Sequence, residues 1–446
     1  MDPKAFHLVS LGCAKNTVDS DSMAALLQEA GYYPVEKPNQ AGVVIVNTCG
    51  FIQAARQESL DTLREFSRKK KRGQVLICAG CLTERYRQRV IEEIPGLDGI
   101  LGTRRWMDIV DVLQEIRAPG KRQGALYHLP EAATVGTDEH NVARISIQGG
   151  SAYLKIADGC RRPCAFCSIP LIKGTTVSRP PEKILAEARL LADHGIRELL
   201  LIAQDTTDYG RDLGMKDGLA QLLDTLVKEV PEIPWIRILY AYPGYVTDRL
   251  IEVMASHPQV LPYLDMPLQH ASVPVLRAMQ RPANMDWVYS TIDKMRARLP
   301  GLALRTTFIV GYPGETEADF QELLDFIQAI KFDHLGAFTF SYEEGTASAP
   351  LGDPIPQEVK LERLERLMLL QEGISLSINQ GFIGKTLDVL VEGRQNDLSI
   401  ARSYRDAPEI DGLVIIEGEA PVGEIIPVQV TGAMTHDLTA RRLPVG

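Results

Sequence analysis

Short apolar runs alternate with helix-length amphipathic segments along most of this chain. In the first third, apolar runs at 6–11, 42–46 and 74–78 are each followed by a helical pattern. From residue 144 the alternation resumes, with apolar runs at 197–203, 235–241, 263–267 and 304–311. The helices predicted between and after these runs are at about 181–194, 219–230, 247–256, 285–299 and 317–330. Such alternation restricts the chain to the α/β class, with parallel strands covered by helices and curved into a full or partial barrel in the second region.

Two breaks in this pattern divide the chain. Glycine and proline interrupt the periodicity at 118–142, which predicts a linker. A long charged helix is predicted at 357–379 and is followed by short apolar runs separated by turns, which favour a small antiparallel barrel. We therefore predict an amino-terminal domain at 1–117, a core domain at 143–378 and a carboxyl-terminal barrel at 379–446.

Composition excludes several classes of protein. The 446 residues are 45% hydrophobic and 24% charged, as in globular proteins, so a disordered or fibrous chain is excluded. The net charge of -10 argues against a protein that coats a polyanion. The sequence contains neither an apolar stretch long enough for a bilayer nor a signal peptide, so we expect a cytoplasmic protein without a membrane partner.

Three of the seven cysteines lie close together in Cys160-Arg-Arg-Pro-Cys164-Ala-Phe-Cys167. An odd number of cysteines makes a disulfide framework the poorer explanation. A structural zinc site requires four protein ligands, so zinc would need a ligand from elsewhere and stays the alternative. Three thiolates on one loop are typical of a 4Fe-4S cluster that leaves one iron open to a non-protein ligand. The amine and carboxylate of an amino acid could bind that iron.

Cys13, Cys49 and Cys81 each follow an apolar run of the first domain. The carboxyl ends of parallel strands meet at one edge of a sheet, so these thiols should converge there, and we expect a second 4Fe-4S cluster. The alternative is that they are small buried hydrophobic residues. Cys78 lies inside its predicted strand, which favours a role in the core.

A Cys-x3-Cys-x2-Cys motif at the start of a βα barrel resembles the radical S-adenosylmethionine superfamily. The amino-terminal cysteines, in Ser10-Leu-Gly-Cys13, Asn47-Thr-Cys49 and Gly80-Cys81, extend the likeness to the methylthiotransferases over the whole chain. This resemblance implies a flavodoxin-like amino-terminal domain, a radical core that forms a partial βα barrel and a carboxyl-terminal barrel of the TRAM type. It also implies that one S-adenosylmethionine supplies the methyl group to sulfur at the amino-terminal cluster and that a second supplies a 5′-deoxyadenosyl radical.

Two branches of that family differ in substrate. One modifies isopentenyladenosine in tRNA, and the other modifies the β-carbon of an aspartate in small-subunit ribosomal protein twelve. Ser10-Leu-Gly-Cys13 and the segment 403–412 resemble the ribosomal-protein branch. The sequence departs from that branch at Ala14, where proline is common, and at Arg161-Arg162-Pro163, but no proposed ligand is affected.

Charge supports the ribosomal-protein branch. Residues 380–446 contain six basic and ten acidic residues, a net charge of -4. An RNA-binding barrel should be positive, whereas an acidic one suits a basic ribosomal protein or the small ribosomal subunit, so direct RNA binding is disfavoured. The acids Asp406, Glu409 and Asp411 are predicted to meet that partner. An alternative of another class is an iron-sulfur protein that only transfers electrons.

Weaker signals lie at the ends of core strands. Gln204, Asp205 and Gln269 follow two predicted strands, where they could contact S-adenosylmethionine or the substrate aspartate. Capping of loops by these side chains is the alternative. Thr316 is predicted to cap the helix after the turn that begins at Gly311.

Because the sequence has no flavin or nicotinamide fingerprint, an external electron donor such as a flavodoxin is expected.

Overall fold

A computed structural model describes residues 2–119, 124–129 and 140–443 of the chain. The chain forms two compact units. The first comprises Met1–Ser146, Ala157–Arg179 and Ser341–Ala349, and the second comprises Ile147–Ile156, Pro180–Phe340 and Pro350–Gly446. Within the predicted linker 118–142, residues 120–123 and 130–139 lie outside the described residues.

The strands follow in chain order: β1 (Asp2–Ser10), β2 (Tyr33–Pro34), β3 (Ala41–Thr48), β4 (Val75–Gly80), β5 (Gly99–Gly102), β6 (Leu126–His128), β7 (Ile145–Gln148), β8 (Ser151–Lys155), β9 (Ala157–Asp158), β10 (Val177–Ser178), β11 (Glu198–Ile202), β12 (Trp235–Ile238), β13 (Val260–Asp265), β14 (Ala303–Val310), β15 (His334–Thr339), β16 (Thr386–Gln395), β17 (Leu398–Ser403), β18 (Val414–Glu417), β19 (Ile425–Ala433) and β20 (Leu438–Arg442).

The α-helices are α1 (Ala14–Glu29), α2 (Gln53–Lys69), α3 (Cys81–Tyr86), α4 (Gln88–Glu93), α5 (Ile109–Arg117), α6 (Ile169–Lys173), α7 (Pro181–Asp193), α8 (Gly218–Glu229), α9 (Asp248–Ser256), α10 (Val273–Ala278), α11 (Met285–Arg298), α12 (Glu317–Ile330) and α13 (Gln357–Gln380). Short 3₁₀ helices lie at Thr103–Asp108, Thr206–Asp208 and Ala349–Leu351. No helix in the described part of the chain is both long and apolar enough to cross a membrane.

The first unit contains a parallel sheet that is covered on both faces. Its described residues form six strands in the order β2-β1-β3-β4-β5-β6. The order of its first five strands is that of flavodoxin-like folds, which confirms the predicted fold of this domain. The short strand β6 lies inside the segment 118–142 that was predicted to be a linker.

Strand β3 shows why the strands of this sheet appear in the sequence as uninterrupted apolar runs. Val43 and Ile45 pack into the core on one face with residues of α1 and α5, whereas Val44 and Val46 pack on the other face with residues of α2 and α4. Successive side chains point to opposite faces of a strand, so both faces must be covered for all four residues to be buried.

The second unit contains the core sheet and the carboxyl-terminal barrel. Among the described residues, seven strands form the core sheet in the order β15-β14-β13-β12-β11-β8-β7. Strands β8 and β11 to β15 pair in parallel, as the predicted partial barrel requires. In the described range 379–443, five strands close into a barrel in the order β16-β17-β18-β20-β19, which is antiparallel except for the parallel pair of β18 and β20.

Candidate functional site

Three cysteines of the first unit follow three neighbouring strands of its sheet. Cys13 lies just beyond β1, Cys49 directly follows β3, and Cys81 directly follows β4. Because β3 pairs with both β1 and β4, the three thiols lie along one sheet edge, as the sequence predicts. The strand order reverses between β1 and β3, and ligands of open α/β sheets bind outside the carboxyl ends of the strands at such a point.

Glycines allow the segments that carry these cysteines to approach one another. Gly12 has a φ of +96°, and a Cβ placed on it would lie 2.8 Å from Cys49 Cβ and 3.1 Å from Cys49 Sγ. A Cβ on Gly50 would lie 2.8 Å from Leu82 Cα. Side chains at these two positions would push the thiol segments apart, so the edge is built for close approach.

Burial acts on the thiols at this edge. It raises the pKa of Cys81 to about 12, and it also raises the pKa of Cys49. Lys173 lowers the pKa of Cys81, whereas charge on Cys49 and Cys13 raises it, so the three thiols lie within electrostatic reach of one another. The thiolate is the form that binds metal, and iron bound here would compensate the negative charge that burial disfavours.

The donor set suits a cluster better than a single ion. In the described ranges 2–119, 124–129 and 140–443, no three Cys, His, Asp or Glu side chains converge as one metal ion would require. A 4Fe-4S cluster presents several irons, and each thiolate binds a different one, so its ligands need not converge on one point.

Cys78 belongs to the hydrophobic core. Its side chain is fully buried inside β4, next to the hydroxyl of Thr48 at an Oγ1–Sγ distance of 3.8 Å. Burial raises the pKa of Cys78 to about 12. The prediction of a core role is confirmed.

The second set of cysteines lies on one loop of the first unit. Cys160, Cys164 and Cys167 line a single cavity of about 490 Å³, together with residues of the segment Ser341–Ala349. Strands β9 and β10 pair at the base of the loop, where the Cys160 N–H donates to Gly174 O at 3.0 Å. Three thiols around one cavity fit the three-ligand cluster predicted from their spacing.

Residues that follow strands β3 and β5 of the amino-terminal sheet hold this loop and helix α6 behind it. The buried guanidinium of Arg104 donates from Nε to Ile172 O and from Nη2 to Leu171 O, both at 2.8 Å. The Ser168 hydroxyl donates to Phe51 O at 3.2 Å. The loop is therefore part of the unit that contains Cys13, Cys49 and Cys81, a relation that the sequence did not reveal.

A buried glutamate joins the segments that follow two of the cysteines. Glu343 accepts from the backbone N–H of Gln53, the first residue of α2, at 2.9 Å. It also accepts from Arg85 Nη1 at 2.7 Å, and both of these side chains are 5% exposed. Glu343 thus binds both α2, which begins after Cys49, and α3, which begins at Cys81.

The residues predicted at the carboxyl ends of core strands occupy two loops of the second unit. Gln204 is half-buried, and its buried Oε1 has no hydrogen-bond partner among the described residues. The Asp205 carboxylate accepts from the Thr207 backbone N–H at 3.0 Å and from its hydroxyl at 2.5 Å, so it caps the loop. Gln269 pairs through its backbone with Thr307 and Ile309. Contact of all three with a cofactor stays a prediction.

The backbone is strained at two residues that follow strands of the core sheet. Tyr240 has a φ of +61° and Gln269 a φ of +75°, a region that disfavours residues other than glycine. They lie at the carboxyl ends of the adjacent strands β12 and β13, where barrel enzymes place their active sites. Such strain is concentrated at functional sites, and no feature of the sequence indicated it at Tyr240.

The turn after β14 is ordered by a buried carboxylate. Glu315 Oε2 accepts from the backbone N–H groups of Gly311 and Tyr312, at 2.8 and 3.2 Å. Its Oε1 accepts from Arg363 Nη1 at 2.7 Å. Thr316 then caps α12 by accepting from the Asp319 backbone N–H, which confirms the predicted N-cap.

The acidic segment predicted to meet a partner is mostly buried. Asp411 accepts from the Tyr263 hydroxyl at 2.7 Å and from Arg305 Nε at 3.2 Å, and its side chain is 1% exposed. Asp406 is also buried. The prediction is therefore wrong for Asp411, which groups of the core sheet bind, and for Asp406, which accepts from the Ser403 hydroxyl at 2.6 Å. Glu409 alone of the three is exposed.

Comparison with protein families divides the chain into three matched regions. Residues 5–102 match the uncharacterized protein family UPF0004, residues 154–327 match the radical SAM superfamily, and residues 383–443 match the TRAM domain.

Relatives with a similar sequence match over nearly their whole length. The chain is 47% identical to the ribosomal protein uS12 methylthiotransferase RimO of Roseiflexus sp. strain RS-1, over 97% of this chain and 96% of that protein. It is 45% identical to the protein of the same name from Chloroflexus aurantiacus, over 98% and 99%, and 46% identical to that of Synechocystis sp., over 96% and 95%.

Among solved structures, the fold resembles that of the radical S-adenosylmethionine methyltransferase TsrM from Kitasatospora setae. The TM-score is 0.60 at 14% sequence identity, over 78% of this chain and 77% of that chain. At this identity the likeness concerns the fold.

Proposed function

This chain belongs to the RimO family of radical S-adenosylmethionine methylthiotransferases, and we infer that it transfers a methylthio group to ribosomal protein uS12. The observation that carries this conclusion is the identity of 47% to a protein of that name, which extends over 97% of the chain. All three regions of the chain therefore share one relative, and the enzyme uses radical S-adenosylmethionine chemistry.

The radical core implies one 4Fe-4S cluster and S-adenosylmethionine. We assign this cluster to Cys160, Cys164 and Cys167, because their thiols line one cavity and leave a fourth iron for the amine and carboxylate of the cofactor. A cluster held by these three thiols would supply the electron for reductive cleavage of S-adenosylmethionine, which is the source of radical chemistry in this superfamily. The loop residues bind and orient these groups.

We assign a second 4Fe-4S cluster to Cys13, Cys49 and Cys81. Their common sheet edge and the close approach that Gly12 allows support this assignment. One S-adenosylmethionine would supply the methyl group to sulfur at this cluster, and a second would supply the radical that acts on the β-carbon of the substrate aspartate. In the second unit, Gln204, Asp205 and Gln269 would contact the cofactor or that aspartate.

The carboxyl-terminal barrel is proposed to dock the basic substrate, as free uS12 or within the small ribosomal subunit. With Asp406 and Asp411 buried, exposed acids at the end of the β16–β17 hairpin are better placed for this role. Asp397 and Glu417 are both exposed there, and Asp397 O accepts from the Gly418 N–H next to Glu417. Complementary charge would increase the association rate.

An external donor such as a flavodoxin would supply electrons. We place the enzyme in the cytoplasm, with its substrate.

The experiment that tests the function compares two substrates. Protein reconstituted anaerobically with iron and sulfide is incubated with S-adenosylmethionine, reductant, and either uS12 or tRNA that carries isopentenyladenosine. Mass spectrometry should find a methylthio group on the uS12 aspartate, together with 5′-deoxyadenosine. A methylthiolated nucleoside with unmodified uS12 would contradict the substrate assignment. Failure to form 5′-deoxyadenosine would instead indicate a protein that only transfers electrons.

A further inference from the structure

A buried lysine connects the two cysteine-bearing parts of the first unit. Lys173 Nζ lies 2.9 Å from Asp19 Oδ2 and 3.3 Å from Asp158 Oδ1. The three side chains are at most 2% exposed. Asp158 precedes Cys160 by two residues, so the ion pairs of Lys173 extend to the base of the loop that carries Cys160, Cys164 and Cys167.

The same network reaches the amino-terminal cysteines through helix α1. Asn16 Oδ1 lies 3.8 Å from Cys81 Sγ, and Asp19 is one helical turn further along α1 on the same face. Asn16 is itself fixed, because its Nδ2 donates to Leu11 O at 2.8 Å and to Thr48 O at 3.0 Å. Asp19, and Lys173 through its ion pair with Asp19, therefore lie next to the part of α1 that contacts Cys81.

We propose that Lys173 is a positioning residue that sets the reduction potential of the amino-terminal cluster, with Asp19 acting in the opposite direction. The proposal rests on the assignment of that cluster to Cys13, Cys49 and Cys81. Reduction adds an electron to a cluster, so a nearby buried cation favours it and a nearby buried anion opposes it. Solvent screens such charges little when they are buried.

The test uses the full chain with Cys160, Cys164 and Cys167 replaced by Ala, so that its only cluster signal is that of the amino-terminal site. The midpoint potential is measured by redox titration followed by electron paramagnetic resonance. Lys173→Met should make the potential more negative, and Asp19→Asn should make it more positive. Lys173→Arg keeps the charge and should stay near the parent value. Asp19→Asn also leaves the pair between Lys173 and Asp158 intact, so it tests the proposal if Lys173→Met fails to fold.

Lys70→Met is the matched control. Lys70 pairs with Asp98 at 2.6 Å in the same unit, but Asp98 directly precedes β5 and so lies at the opposite edge of the sheet from the cysteines. This variant should not shift the potential. Shifts of the same sign in Lys173→Met and Asp19→Asn, or shifts no larger than that of Lys70→Met, would overturn the proposal. Iron-free triple-alanine protein would overturn the cluster assignment as well, so the two failures are distinguishable.

Discussion

Arg402 of the carboxyl-terminal barrel forms an ion pair with Glu198, the first residue of β11, at an Nη2–Oε2 distance of 2.6 Å. The two side chains are 1% and 0% exposed. Arg237 of β12 donates to the other oxygen of Glu198 at 2.7 Å. One carboxylate therefore binds two buried guanidinium groups and joins the barrel to the core sheet within the second unit.

Glu198→Gln should destabilise the second unit by about 3–5 kcal/mol at neutral pH, because it leaves the buried Arg237 without its counter-charge and Arg402 with Glu392 alone. Burial alone would raise the pKa of Glu198, but Arg402 and Arg237 outweigh it and lower this pKa to about 2. The stabilisation is therefore complete above the ordinary value of 4.5 and is lost as the pH falls towards about 2.

Urea unfolding of the wild-type protein and the variant at several pH values measures this difference in the free energy of unfolding. The exposed Glu65, which pairs with Lys69 one helical turn away, provides the control Glu65→Gln, whose effect should be negligible. A wild-type-to-variant difference that is constant down to pH 2 would show that Glu198 is not the titrating group.

Anaerobic reconstitution should load about eight irons per chain, as two 4Fe-4S clusters. Replacement of Cys160, Cys164 and Cys167 with Ala should leave about four, since the amino-terminal thiols lie on other segments. Iron and sulfide analysis with Mössbauer spectroscopy distinguishes the two results. Complete loss of iron from the triple variant would be incompatible with two independent sites.

Cys81→Ala should lose the amino-terminal cluster and sulfur transfer, whereas Cys78→Ala should keep both. Cys78 packs in the core, so its truncation costs only about 1 kcal/mol in the free energy of unfolding. Iron content and methylthiolation of uS12 provide the measurements. Equal loss of iron in the two variants would show that the wrong thiol has been assigned.

Gly12→Ala should reduce iron at the amino-terminal site by displacing Cys49. Gly31→Ala is the matched control, because Gly31 also has a positive φ, of +83°, but the nearest atom to its added Cβ is Lys4 Nζ at 3.7 Å. Both variants incur backbone strain of about 1–2 kcal/mol, so only the contact with Cys49 differs. The measurement is the iron content of both variants. Equal iron contents would refute the expectation.

Charge reversal on the exposed end of the carboxyl-terminal barrel tests docking. Asp397→Lys with Glu417→Lys should lower the association rate with uS12 about tenfold at low salt, and the difference should shrink as salt screens the charges. Stopped-flow binding measures this rate. The control reverses Glu232 and Asp248, which are also exposed acids of the second unit. The same loss in both double variants would indicate a net-charge effect rather than a docking surface.

The positions of the cysteines could be predicted from sequence because local patterns determine them. Apolar runs define the strands, and parallel pairing brings their carboxyl ends to one edge, where Cys13, Cys49 and Cys81 lie. The period of the run 74–78 likewise placed Cys78 in the core. Helix bounds followed for the same reason, and α12 was predicted at its observed limits.

Burial of charge could not be predicted in this way. Asp411 belongs to an acidic, turn-rich segment that is typical of an exposed loop, and its partners Tyr263 and Arg305 are more than a hundred residues earlier in the chain. Lys173 is equally indistinguishable in sequence from a solvated lysine at a helix end. Such contacts depend on which elements meet in space, and a local pattern contains no record of them.

Because Arg104 and Phe51 hold the loop of Cys160, Cys164 and Cys167, the boundary between sequence modules is not the boundary between packed units. Phe51 belongs to the module matched at residues 5–102, whereas Ser168, which donates to it, belongs to the module matched at residues 154–327. A chimera of two family members joined between residues 104 and 154 would place this loop against contact residues from the other family member. Exchange of residues 157–179 together with the amino-terminal module would preserve these contacts, and homologous recombination should favour such paired inheritance.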